Sequence, residues 1–187
     1  HMYEYKYPTE EMRNKTILMV GGGESACDIA NEISSVTDKV YLSMRHGRWF
    51  QPKYTGARLA LDSRNPRKAQ IIMKPRFMRK ISIKIYELIS AINFGVGGHG
   101  ISEWTPTYPL LSGLVVKSRE VLDKVAVGKV IPKKGVTKIE GDLVWFENSP
   151  SPIRIDMIIL ATGFRQTIPF LPDYKVANNY KLVFNLE

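Results

Sequence analysis

The chain has 187 residues, of which 44% are hydrophobic and 24% charged, and its formal net charge is +9. That length suits one α/β domain, or at most two small ones, with a buried core, and the composition excludes a disordered tail and a membrane bundle. The single cysteine, Cys27, excludes an internal disulfide, a CxxC redox pair and a cysteine-rich zinc site, and His1, His46 and His99 lie too far apart, without framing carboxylates, to suggest a metal.

Thr16-Ile17-Leu18-Met19-Val20 is an unbroken apolar run, the pattern of a strand covered on both faces. Glycines follow at once, and Ser25 to Ser35 reads as a helix with Ala26, Ile29, Ala30 and Ile33 on one side. Lys39 to Met44 is a second strand, completing the βαβ pattern of a parallel sheet. Residues 47–75, rich in Gly, Pro, Arg and Lys, read as loop. From Arg76 to Phe94, the residues Met78, Ile81, Ile85, Leu88 and Ile92 recur at steps of three and four, so a helix is expected, with Lys80, Lys84 and Glu87 off its apolar stripe. Two readings of that stripe stand: a helix packed on the domain, or a basic amphipathic helix resting on a membrane surface. Gly95 to Gly100 breaks the pattern, and Lys117 to Val125 is a further helix. Short β-type runs follow at Lys129–Ile131, Val136–Glu140 and Leu143–Glu147, with Gly141-Asp142 as a hairpin turn between the last two. Ile155 to Leu160 is another apolar strand and runs into Ala161-Thr162-Gly163-Phe164. No run reaches the ~18 apolar residues of a membrane span.

The charge is concentrated. Between Arg45 and Lys84 there are 12 Lys and Arg against one acid, Asp62, so this stretch carries +11 and the remainder −2. A solvated basic surface, an anionic ligand, an anionic membrane face and an acidic neighbouring domain are all compatible with it. Nucleic acid is not expected, since zinc-finger spacing and an RNP-like aromatic pattern are both missing.

The turn after the first strand reads Val20-Gly21-Gly22-Gly23-Glu24-Ser25-Ala26, a G-x-G-x-x-A in strand–turn–helix context. Gly21 allows the tight turn, Gly23 lets the backbone approach a pyrophosphate, and Ala26 lets the helix pack close to the strand. The helix N-terminus offers free N–H groups and a partial positive charge to phosphate, and Ser25 adds a hydroxyl. Glu24 suits the helix dipole and is expected to face solvent. The competing reading is a purely structural glycine turn. The second strand ends in Leu42-Ser43-Met44-Arg45-His46, without the acid that holds a ribose 2′-hydroxyl. Ser43 and Arg45 instead offer a hydroxyl and a guanidinium fork to a 2′-phosphate, so NADP(H) is expected rather than NAD or FAD, with Arg48 and His46 as helpers. The alternative for Arg45 is a surface pair with Asp38 or Glu32.

With these residues in hand the chain resembles the flavin-containing monooxygenases. Val20-Gly21-Gly22-Gly23-Glu24-Ser25-Ala26-Cys27-Asp28-Ile29-Ala30 is similar to their NADPH-binding segment, V-G-x-G-x-S-[GA]-x-D-I-A. Val40-Tyr41-Leu42-Ser43-Met44-Arg45-His46-Gly47 resembles V-x-x-S-x-R-x-G, and Asp156 to Phe164 resembles D-x-[IV]-[IV]-x-A-T-G-[YF], followed by the similar Pro169-Phe170-Leu171. Tyr108-Pro109-Leu110-Leu111 fits the family's middle region. The departures are the first, FAD-binding glycine motif and the F-x-G-x-x-x-H-x-x-x-[YF] signature, neither of which the sequence contains, and Glu24 where the family has Asn.

The resemblance implies a Rossmann-like α/β NADPH-binding domain with a central parallel sheet, a β-meander or hairpin and a helical insert. The expected organisation is a tag remnant and linker from a missing FAD domain at 1–14, the NADPH domain at 15–172 with a basic helical insert at 58–100, and a truncated return towards the FAD domain at 173–187. Site residues carried by the two motif readings are Gly21, Gly23, Glu24, Ser25, Ala26, Ser43 and Arg45, and the resemblance adds Thr162 and Gly163 near the cofactor interface. It also implies FAD in the full-length enzyme, hydride supplied by NADPH, and transfer of one oxygen from O2 to a soft nitrogen or sulfur nucleophile. The organic chemistry then belongs to the flavin, which is why no acid–base pair or nucleophile triad is expected here. Two other plans share the architecture, the disulfide reductases, against which the lone Cys27 argues, and the Baeyer–Villiger type; a non-catalytic basic adaptor is the reading from outside enzymes. The expected partners are NADPH, the FAD domain of the same polypeptide, a small-molecule substrate and, through residues 76–94, a membrane surface; the expected setting is intracellular, cytoplasmic or peripherally membrane-associated.

Overall fold

The computed structural model describes residues 1–55, 59–60, 80–85, 87–89, 101–110 and 115–164. The central sheet holds β1 (Thr16–Val20), β2 (Lys39–Ser43), β7 (Val130–Lys133) and β11 (Met157–Leu160) in the order β11-β1-β2-β7, and every pairing is parallel. Strand order therefore reverses at β1, with β2 on one side and β11 on the other. In open sheets of this kind the crevice at such a reversal, beyond the carboxyl ends of the strands, is where ligands lie.

The two faces of β1 explain its unbroken apolar run. Ile17 and Met19, with Val40 and Leu42 of β2, pack against Ala26, Cys27, Ala30 and Ile33 of helix α1 (Glu24–Ile33) and Val121 of helix α2 (Glu120–Ala126). Leu18 points to the opposite face, where it meets Val144, Phe146 and Ile155. Ile17, Leu18 and Met19 are all fully buried, which an alternating strand cannot achieve. The small side chains of Ala26 and Ala30 let α1 lie close to the sheet. The helix stops at Ile33 without a glycine, because Ser34, Ser35 and Thr37 turn their hydroxyls back onto the carbonyls of Asn31, Glu32 and Ile33.

The second face is covered by an antiparallel meander of β8 (Val136–Glu140), β9 (Leu143–Phe146) and β10 (Ile153–Arg154). Gly141 takes φ 60° at the expected hairpin turn, and the Arg154 guanidinium lies 2.6 Å from the Asp142 carboxylate. The β-type run at 129–131 does not join this meander; it becomes β7 of the parallel sheet, since α2 carries the chain back across to pair with β2.

One sequence expectation is corrected. Residues 47–75 were expected as loop, but Trp49–Phe50 forms β3, paired in parallel with β6 (Val115–Val116), and Tyr54–Thr55 (β4) pairs with Leu59–Ala60 (β5). Two-residue strands have no periodicity to announce them. β3 is held by burial: Phe50 stacks on Trp104 at 5.7 Å between ring centroids, and the Trp104 indole donates to the Leu42 carbonyl at 3.3 Å.

Residues 80–85 and 87–89 are helical, as the stripe predicts. Ile81, Ile85 and Leu88 of that stripe, and Ile89 beside it, are exposed, so the reading in which this face packs on the domain does not hold for them; Met78 and Ile92 lie outside the described residues. So do most of the expected 58–100 insert, the 173–187 return and the Pro169-Phe170-Leu171 motif.

Candidate functional site

The site forms where β1, β2 and β11 end together. Gly21 leaves β1 with φ 143° and donates its N–H to the Ser43 carbonyl at 3.0 Å. A Cβ on Gly21 would overlap the Ala161 carbonyl at the end of β11. Gly21 is therefore glycine for two reasons: a conformation L residues avoid, and a neighbouring backbone in contact. Gly23 differs. A Cβ there would meet nothing within 4 Å, so open space lies over the turn, and Gly23 caps α1 without any side-chain hydrogen bond. Amides at the start of α1 thus face that space without a protein side chain on them, which fits a phosphate group.

Glu24 is exposed, as expected, and is also held. Its carboxylate accepts the Lys117 backbone N–H at 3.2 Å, tying the first turn of α1 to the strand-to-helix passage before α2. Ser25 is exposed beside it, and Ala26 is buried against the sheet. Cys27 is fully buried, and burial, reinforced by Asp28 and opposed by Arg48, pushes its thiol up to about 12, so it stays protonated and acts as a small apolar side chain.

At the end of β2, Ser43 is buried and donates its hydroxyl to the Lys134 carbonyl at 2.6 Å. Its proton joins β2 to β7, leaving only lone pairs, so Ser43 cannot be the donor to a phosphate in this arrangement. Arg45 is exposed beyond the strand and its Nε donates to His46 Nε2 at 3.0 Å. Neither suggested surface partner holds it: Asp38 stands before the opposite end of β2, and Glu32 accepts the Tyr5 hydroxyl at 2.8 Å. The motif glycine Gly47 takes φ 63°, and a Cβ on it would overlap the Trp104 and Thr105 carbonyls.

Beyond the ends of β2 and β7 lies an open cleft of about 340 Å³, lined by Ser102, Glu103, Lys133, Lys134, Glu147, Asn148 and Ser149. Arg45 is not among its lining residues, although its Cγ lies 3.6 Å from where a Gly135 side chain would begin. Lys133 and Lys134 were missed from sequence. Their signal was a lysine doublet at the carboxyl end of a parallel strand, visible only once β7 is known to lie beside β2.

Across the crevice from Gly21, the Ala161 N–H donates to the Val20 carbonyl at 2.8 Å. Thr162 and Gly163 emerge from there exposed, with Gly163 at φ 90°. The Asp156 of the same motif is at the other end of the strand, where its carboxylate accepts the Thr16 N–H at 2.8 Å and fixes β11 to β1. Its part is structural. Among the described residues no cluster of three or more His, Cys, Asp or Glu is placed to hold a metal.

A parallel sheet reversing at β1, a glycine turn feeding an uncapped helix and a cation past β2 define a Rossmann-type α/β fold. The chain belongs to the flavin-binding monooxygenase-like family, whose model matches residues 1–186. Flavin-containing monooxygenase 1 of Rattus norvegicus is 28% identical over 195 residues, covering 98% of this chain and 35% of that protein. Dimethylaniline monooxygenase [N-oxide-forming] 2 of Macaca mulatta is 28% identical over 190 residues, with the same coverages of 98% and 35%. Among solved structures, OTEMO in complex with FAD and NADP superposes with a TM-score of 0.61 at 14% identity, covering 86% of this chain and 41% of that one. The chain spans about a third of the length of these curated relatives.

Proposed function

We propose that this chain is the NADPH-binding part of a flavin-dependent monooxygenase, which with FAD as its second cofactor transfers one oxygen atom to a soft nitrogen or sulfur nucleophile. The observation that carries the reading is the Gly21–Gly23 turn at the strand reversal, open above Gly23 and uncapped at α1, with Arg45 past the end of β2. The residues fit the dinucleotide. The α1 amides take the pyrophosphate, Arg45 takes the 2′-phosphate with Lys134 adding positive potential from just past β7, and Thr162 and Gly163 face the second cofactor. The nitrogen preference draws support from the N-oxide-forming relative. When bound, the dinucleotide supplies hydride; the chain's own work is to hold and orient it.

Calorimetric titration with NADP⁺ and NAD⁺ tests this. NADP⁺ is expected to bind tighter, and Arg45→Ala to weaken NADP⁺ alone by about 1.5–3 kcal/mol, the loss of a charged hydrogen-bond pair. Equal affinities in the parent chain, or no binding of either, would overturn the reading; an unchanged preference in Arg45→Ala would remove Arg45 from it.

We further propose that the exposed face of Ile81, Ile85, Leu88 and Ile89, with Lys80 and Lys84 on the same helical segment, rests on an anionic lipid surface. Its support is the combination of apolar exposure and the +11 charge of residues 45–84.

A further inference from the structure

Arg48 stands three residues past Arg45, yet its side chain runs back to the glycine turn. Its Nε donates to the Gly22 carbonyl at 2.9 Å and its Nη1 to the Tyr108 hydroxyl at 3.1 Å. Both ends of the contact are themselves held. The Arg48 backbone N–H donates to the Trp104 carbonyl at 3.2 Å, and the Trp49 indole donates to the Tyr108 carbonyl at 2.8 Å. We infer that Arg48 is a positioning residue of the nucleotide site, bridging Gly22 and Tyr108 so that the Gly22–Gly23 peptide keeps the orientation a pyrophosphate needs. The inference rests on the dinucleotide reading above and adds a division of labour to it: Arg45 reads the 2′-phosphate, and Arg48 sets the turn.

The geometry follows from the peptide itself. A trans peptide is planar, with its C=O and N–H on opposite sides. A guanidinium fixed on the Gly22 carbonyl therefore fixes the Gly23 N–H on the far side. Glycines alone would leave this peptide free to rotate, since a glycine pair has many accessible conformations. Position 22 is closely flanked as well: a Cβ there would stand 3.2 Å from Met44 Cγ and 3.3 Å from Arg48 Cγ and Nε. The two-pronged contact needs the planar fork of arginine, for which a lysine ammonium is no substitute.

The test uses three probes on the 187-residue chain: NADP⁺, NAD⁺ and 2′-AMP, which carries the 2′-phosphate but no pyrophosphate. Arg48→Ala is expected to weaken NADP⁺ and NAD⁺ by the same factor, roughly tenfold, and to leave 2′-AMP unchanged, which also shows that the variant is folded. Arg45→Ala is expected to give the opposite pattern, losing NADP⁺ and 2′-AMP while keeping NAD⁺. Arg48→Lys should remain as weak as Arg48→Ala, and Tyr108→Phe, which removes one anchor only and spares the turn, should show a smaller loss of the same pattern. Unchanged dinucleotide binding in Arg48→Ala, a loss confined to NADP⁺, or full recovery in Arg48→Lys each overturns the inference while the nucleotide reading survives. A parent chain that takes up neither dinucleotide ends both.

Discussion

Gly21 is the least replaceable residue of the site. Its φ of 143° and its contact with the Ala161 carbonyl act together, so Gly21→Ala must shift either β11 or the turn. The expected cost is at least about 2 kcal/mol, seen as a lower denaturation midpoint in urea; a variant with parent stability would show that the turn relaxes freely. Gly21, Gly23 and Ala26 were legible in the sequence because their reasons are local: a turn, an open approach and a close helix. The roles of Ser43 and Glu24 were not. Ser43 gives its proton to Lys134, and Glu24 accepts from Lys117, residues 91 and 93 positions away. No pattern in the chain announces such partners. Arg45 was readable as a cation past β2, whereas Arg48, read as its helper, reaches the glycine turn instead.

Among the elements, β1, α1 and β2 were legible because each carries enough periodicity to identify itself, and the ends moved by only a residue or two. The β3–β6 pair was not, since its partners are two residues long and separated by the whole basic region. The helical residues 80–85 and 87–89 were found by their stripe, but not the exposure of that stripe. Glu87 ties this segment to the fold: its carboxylate accepts the Leu110 N–H and the Lys84 ammonium, each at 2.9 Å. Burial works to raise Glu87, but these two hydrogen bonds and the Lys84 charge outweigh it and hold the carboxyl below its ordinary value. A carboxylate with a lowered native pKa stabilises fully above its unfolded value, near 4.3, and that share is lost as pH falls below it through the native value. Glu87→Ala should therefore melt roughly 3 °C lower at neutral pH, for the loss of about 1 kcal/mol, and the gap to the parent should close on acidification. A gap that persisted in acid would assign the effect to packing rather than to the charge.

At the scale of the whole molecule, the charge is uneven along the chain, +11 over residues 45–84 and −2 over the remainder. Arg45, Lys133 and Lys134 stand at the carboxyl ends of β2 and β7 and Arg48 reaches the glycine turn, while Lys80 and Lys84 flank an apolar helical face. No helix among the described residues is long and apolar enough to cross a membrane, so any lipid contact through this face is one of resting on the surface. Vesicles containing anionic lipid should sediment the chain at low salt and release it at high salt. Ile85→Glu with Leu88→Glu should abolish the effect, and neutral vesicles should not show it. Equal binding by the doubly substituted chain would reassign the attraction to general basicity. Composition told of the charge excess, but which cations share the carboxyl edge of the sheet depends on the strand order, and that emerges only when β7 is seen beside β2.

The strap from His46 to Phe50 and the segment from Trp104 to Tyr108 are stapled to each other: the Arg48 N–H to Trp104, the Trp49 indole to Tyr108, and Gly47 pressed against two carbonyls. The polypeptide between them departs and returns at one spot. Closing such an excursion costs only about 0.6 kcal/mol more for each doubling of its length. Lengthening or trimming the chain between Phe50 and Trp104 should therefore cost little in closure and leave the paired ends in place.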